Sequence, residues 1–190
     1  HEGSSNSDRI RRILQRVFTH RGVESDFWSR YDKFRNFLGF DPTEPGNNLS
    51  IVTTNYDLNV ECALHHDNKR AHPGFEYTQV EDDRSSRHDS FYSPKGIPLY
   101  KLHGSVNWYD DGDSEKIQIE GRVVATQGSF ENPSGSALPL LCVDNYESPQ
   151  APVIVPPSFL KPELNPHLVR VWSGAAHELS RANMVVFVGY

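Results

Sequence analysis

Four short, largely apolar runs set the frame for this chain: Leu49 to Thr53, Ile97 to Gly104, Ala151 to Val155 and Met184 to Tyr190. A strand in the middle of a parallel sheet is covered on both faces, so it reads as a continuous apolar run and not as an alternation. The last of the four, MVVFVGY, has that pattern outright. Between the runs lie segments of helical period. Ser7 caps a helix with Ile10, Ile13, Leu14, Val17 and Phe18 on one face, and Ser25 caps a second with Phe27, Tyr31, Phe34 and Leu38, closed by Gly39. A third helix is expected from about Tyr56 to His66. A fourth is capped by Asn165, opened by Pro166 and faced by Leu168, Val171, Trp172, Ala175 and Leu179. Strands alternating with such helices predict an α/β fold: a Rossmann-like, mostly parallel sheet flanked by helices.

Other segments carry less pattern. Asp41 to Asn48 and Gln127 to Ser136 read as loops, Asp67 to Gly96 as a polar insertion, and Glu115 to Thr126 as a small β-hairpin. With 190 residues the chain has the size of one domain. Its net charge of -6 excludes a surface that coats nucleic acid. No apolar run approaches the roughly 20 residues that span a bilayer. The opening HEGSSNSDR is no secretory signal, so a cytoplasmic location is expected. Two cysteines, Cys62 and Cys142, cannot build a four-thiolate zinc module.

In open parallel sheets ligands sit at the carboxyl ends of the strands. That rule selects Thr53-Thr54-Asn55, His103-Gly104-Ser105, Pro156-Pro157-Ser158 and Gly189-Tyr190, which are expected to line one crevice. Each has a plain structural reading as well. Asn55 is a good helix cap, Asp57 suits the first turn of a helix, and a histidine past a strand is often only a hydrogen-bonding residue. An amide that orients a ligand and an imidazole that takes a proton near neutral pH would equally suit those places. His65 and His66 in HHDNKRAH could suggest a metal, but histidines at a helix C-terminus are favoured by the dipole alone, so no metal is expected.

Taken together and in this order, IVTTNYDLNVE, YKLHGSVNW, VIVPPS and VVFVGY resemble the sirtuin-like NAD-consuming domains of bacterial anti-phage defence proteins, over about Leu49 to Tyr190. TTNYD looks like the counterpart of the sirtuin Gln-Asn-Ile-Asp motif, and His103-Gly104 like the sirtuin His-Gly. The resemblance implies NAD as substrate, with nicotinamide and ADP-ribose as products and defence by NAD depletion. It implies that Asn55 orients the nicotinamide ribose or the attacking water, that His103 is the general base, and that Asp57 holds the nicotinamide end. Thr53, Thr54, Tyr56, Gly104, Ser105, Gly189 and Tyr190 would complete the NAD site. It further implies homo-oligomers formed through other parts of a longer protein and a phage or effector protein as trigger.

Three departures accompany the likeness. The family's Gly-Ala-Gly-x-Ser phosphate loop has no match, no Ser follows Tyr190, and the zinc ribbon of sirtuin deacylases has too few cysteines. Residues 1–190 are therefore expected to be a partial domain, with its glycine-rich strand and loop upstream. An NAD-dependent protein deacylase and a non-catalytic nucleotide-sensing or scaffold domain remain as alternatives.

Overall fold

The computed structural model describes residues 49–66, 69–79, 91–110, 116–119, 124–125, 130–131, 137–138, 141–142, 151–155 and 165–187. The two helices expected before residue 48 and the strand ends Pro156 to Ser158, Gly189 and Tyr190 lie outside these residues. The first sheet is built from β1 (Ile51–Thr53), β2 (Ala71–His72) and β4 (Ile97–Lys101), in the order β1-β4-β2 and parallel throughout. Helix α1 (Asn59–His66) follows β1 in the chain. A parallel sheet with helices is present, as expected, but only the Leu49 and Ile97 runs enter it: the run from Ala151 to Val155 pairs antiparallel in a second sheet, because it returns alongside the strand that begins at Gly104.

A second sheet is mixed. It joins β3 (Tyr77–Gln79), β5 (Gly104–Tyr109), β6 (Ile117–Ile119) and β11 (Pro152–Ile154) in the order β11-β5-β6-β3. Strand β5 runs antiparallel to both β11 and β6, while β3 is parallel to β6. Two small antiparallel pairs complete the strands among the described residues: β7 (Val124–Ala125) with β10 (Leu141–Cys142), and β8 (Phe130–Glu131) with β9 (Ala137–Leu138).

Helix α2 (Pro166–Arg181) starts as its sequence dictates, with the Asn165 side-chain oxygen accepting from the His167 amide and Pro166 in the first turn. Leu168, Val171 and Ala175 are buried. Gly174 allows close approach to the central strand, since a Cβ there would lie 2.5 Å from the Tyr100 ring. Ser50 Oγ donates to Glu178 Oε2 at 2.9 Å and fastens the far end of α2 to the start of β1. Trp172 and Leu179, expected on the core face, are exposed, because they sit at the border of the stripe that Leu168, Val171 and Ala175 bury.

Several expectations are corrected. The supposed polar insertion supplies β2, β3 and a share of the core: Phe75, Phe91 and Tyr92 are buried, with the Phe75 ring edge-on to Trp108 at 4.9 Å. Strands of two and three residues are too short to display a period, so composition hid them. The Glu115 to Thr126 segment does not close on itself as a hairpin, because β6 has both edges taken by β5 and β3, and β7 pairs with β10. Phe130–Glu131, within a stretch read as loop, pairs with β9. The described part of the last apolar run, Met184 to Phe187, is exposed, Phe187 by 93%. A strand buried on both faces needs neighbours at its edges, and no described strand pairs with this one.

Burial of the middle segment has a measurable consequence. Phe91→Ala should destabilise the protein by about 3–5 kcal/mol, as expected for a large side chain lost from a close-packed core. Urea denaturation measures this, and a change below about 1 kcal/mol would return residues 67–96 to the status of a surface excursion.

Candidate functional site

The parallel register brings two loops together. Thr53 is paired with Lys101, and the Leu102 amide donates to the Thr53 carbonyl at 2.9 Å, so the ladder runs one residue past the strand ends. Asn55 and His103 thus stand two residues beyond paired positions on adjacent strands. On the first loop, Thr53 Oγ1 accepts from the Asn55 amide at 3.1 Å and tightens the turn, leaving Thr54 and Asn55 exposed. The helix then begins at Asn59 and not near Tyr56, because Asp57 Oδ1 accepts from the Asn59 amide at 3.0 Å. Asp57, and not Asn55, therefore fills the capping role. The Asn55 side-chain amide makes no hydrogen bond among the described residues.

The second loop is a two-residue turn, Leu102-His103, between β4 and β5. Its backbone is held on both sides: the His103 carbonyl accepts from the Val155 amide at 2.9 Å, and the Leu102 carbonyl from Trp172 Nε1 at 2.9 Å. Gly104 has φ +82°, and a Cβ there would fall 1.9 Å from the Val153 carbonyl oxygen, so only glycine fits. The His103 ring is half-buried and has no hydrogen-bond or ion-pair partner among the described residues.

Beneath both loops lies a closed ring of buried polar groups. Lys101 Nζ donates to Glu61 Oε1 at 2.8 Å, to Ser105 Oγ at 2.9 Å and to the Asp57 carbonyl. Ser105 Oγ donates to Asn107 Oδ1 at 2.7 Å, Asn107 Nδ2 donates to Tyr92 Oη at 3.4 Å, and Tyr92 donates to Glu61 Oε1 at 2.7 Å. Lys101 is 1% exposed and Glu61 not at all.

The SIR2-like domain family matches residues 49–190, a span that opens at the residues leading into β1 and contains both loops. The chain belongs to the SIR2-like domain family. No curated protein matches it. The family includes NAD-dependent enzymes, and membership implies NAD binding.

Within this SIR2-like domain the expected site residues divide. Thr54, Asn55 and His103 reach the carboxyl edge of the parallel sheet. Thr53 is half-buried, and the Tyr56 carbonyl accepts from the Val106 amide at 3.1 Å, so both help to shape the first loop. Ser105, expected to touch the nucleotide, is corrected: it is fully buried and its hydroxyl belongs to the ring below. Gly189 and Tyr190 lie outside the described residues. Sequence reasoning missed Lys101, Glu61, Asn107 and Tyr92, and missed Trp172 as a neighbour of the His103 turn. One signal was legible, a lysine inside a run otherwise patterned for burial. Among the described residues no three metal-ligating side chains cluster, and no described helix is long and apolar enough to cross a membrane.

The ring also fixes a pH dependence. Burial first, and then the neighbouring Glu61 carboxylate, hold the Tyr92 phenol well above its ordinary value of 10.0. The folded protein keeps a proton that the unfolded chain gives up, so this contribution is intact below pH about 10 and declines above it, by at most about 1.4 kcal/mol per pH unit. Tyr92→Phe should be less stable at neutral pH yet show a shallower alkaline decline. Tyr77 and Tyr100, also raised by burial, would account for the remaining slope. Urea midpoints between pH 8 and 11 measure both slopes, and identical slopes would remove Tyr92 as the cause.

Proposed function

We propose that this SIR2-like domain is an NAD glycohydrolase, cleaving NAD to nicotinamide and ADP-ribose, and that it acts in the cytoplasm in anti-phage defence by depleting NAD. The observation that supports this reading is the placement of two side chains with no hydrogen-bond partner among the described residues, the Asn55 amide and the His103 imidazole, beyond the paired ends of adjacent parallel strands. The bond broken joins C1′ of the nicotinamide ribose to the pyridinium nitrogen. Its electron pair passes to that nitrogen and quenches the positive charge, so nicotinamide leaves neutral and needs no acid. A water oxygen bonds to C1′, and the proton that water sheds passes to His103. Asn55 offers a carbonyl and two N–H groups to fix the ribose hydroxyls and the water, the positioning that makes attack effectively intramolecular. Asp57 spends Oδ1 on the Asn59 amide at the start of α1, and its carboxylate helps to hold the nicotinamide end.

Nicotinamide release from NAD by the full-length protein, with and without an acyl-lysine peptide, tests the proposal. Release without peptide is expected. Release only with peptide would make the protein a deacylase, and nucleotide binding without release would make it a sensor. Asn55→Ala should abolish release while leaving the melting temperature almost unchanged, since its side chain makes no hydrogen bond among the described residues. Normal turnover in this variant would reject its catalytic role.

His103→Ala should lower turnover by about a hundred- to ten-thousand-fold, the range of a general base, with NAD affinity affected less. Single-turnover rates and calorimetric binding separate the two effects, and a loss below about tenfold would leave His103 a structural residue.

A further inference from the structure

The buried ion pair sits where a Leu or Met would fill space at less electrostatic cost, which raises the question of what the charge does there. Lys101 is the last residue of the central strand, and its side chain turns under the first loop instead of out to solvent. All three ammonium protons find acceptors: Glu61 Oε1, Ser105 Oγ and the Asp57 main-chain carbonyl. The last of these belongs to the loop that carries Asn55. The carbonyl one residue earlier, that of Tyr56, is held by the Val106 amide at 3.1 Å, with Ser105 Oγ 3.5 Å away. Lys101, Ser105 and Val106 all flank the His103 turn. Two successive carbonyls of the Asn55 loop are therefore gripped by groups on the two strands that the His103 turn joins, and Glu61 neutralises the cation that makes one of those grips.

We infer that Lys101 and Glu61 are positioning residues: their buried pair sets the Asn55 loop at a fixed place against the His103 turn. The inference rests on the proposed hydrolase for its kinetic readout only. Neither residue needs to touch NAD.

The test uses the full-length protein with Lys101→Met, Glu61→Gln and the double variant. Glu61→Gln keeps an oxygen for the Tyr92 hydroxyl while removing the charge. Lys101→Met alone strands a buried carboxylate and should lower the melting temperature. The double variant removes both charges and should recover most of that loss. If the pair only stabilises, nicotinamide release should recover along with the melting temperature. If it positions the loop, the double variant should melt near the wild type yet keep a kcat at least tenfold reduced. Amide hydrogen exchange over residues 54–58 should then be at least tenfold faster, with the rest of the sheet unchanged. A double variant with wild-type kcat and wild-type exchange in that loop overturns the inference. If the wild type releases no nicotinamide, the hydrolase reading fails, and the exchange measurement still decides this one. Should the double variant not fold, Ser105→Ala removes one of the three ammonium acceptors with a smaller change. Faster exchange over residues 54–58 supports the inference, and unchanged exchange overturns it.

Discussion

An ammonium group buried at the end of the central strand governs how the two sheets can meet. Removing an ion from water has an idealised cost of order 20 kcal/mol, and after relaxation still several, so Lys101 can stay inside only if every proton is met and its charge is opposed. Helix α1 supplies Glu61, the loop before it supplies the Asp57 carbonyl, and the first residues of the second sheet supply Ser105. These groups come from three parts of the chain, and each must be correctly docked before the others are satisfied. Half of such a ring would be worse than none, since an unpaired buried polar group forfeits its hydration without return. The closed path through Asn107 and Tyr92 shows why β5 tolerates Ser105 and Asn107 on a buried face. Their alternation with Val106 and Trp108 would elsewhere mark a strand half open to water. Here the polar side of β5 faces the ring.

The loops above the ring are set by local chemistry of a different kind. Thr53 folds the chain back through its own hydroxyl, Asp57 starts the helix, and Gly104 takes the one backbone conformation that lets the turn pass Val153. With Asp57 committed to a main-chain amide, the exposed amide left in the first loop is Asn55. Trp172 adds a clamp from α2, its indole N–H on the Leu102 carbonyl. The site is thus framed by rigid elements on each side, with short turns carrying the side chains that stay unengaged among the described residues. Such turns hold geometry better than long loops, because few dihedral angles are left to drift.

Legibility in the sequence followed the range of the interactions involved. The β1 and β4 strands, the Asn165 cap with Pro166, and the Leu168-Val171-Ala175 stripe were readable, because each is written in a few adjacent residues. So was the placing of Asn55 and His103 at strand ends. What escaped notice depends on partners far away in the chain. Lys101 and Glu61 are 40 residues apart, and although a lysine within an apolar run hints at burial, nothing local names its partner. Phe75, Phe91 and Tyr92 lie among charged residues and enter the core only because short strands on either side turn them inward. Asn55 was ambiguous for the opposite reason. Capping and ligand binding use the same side chain, and only the actual first residue of α1 could separate them.

The pairing of Lys101 with Glu61 also bears on which substrate charge such a site admits. In the proposed cleavage the nicotinamide ring enters positive, and positive charge then develops on the ribose as the bond breaks. A lone buried cation near such a site would oppose that developing charge, and each about 1.4 kcal/mol of opposition is a tenfold loss in rate. Glu61 cancels most of that field, because its carboxylate lies 2.8 Å from the ammonium and both are sealed from solvent. Lys101 can then give a strong, charge-assisted grip on the Asp57 carbonyl while the surface above it stays close to neutral. An arrangement that used a neutral donor would grip less firmly, and an unpaired lysine would grip well but repel the sugar. The paired lysine avoids both penalties, which accounts for so costly a group gripping the loop that carries Asn55.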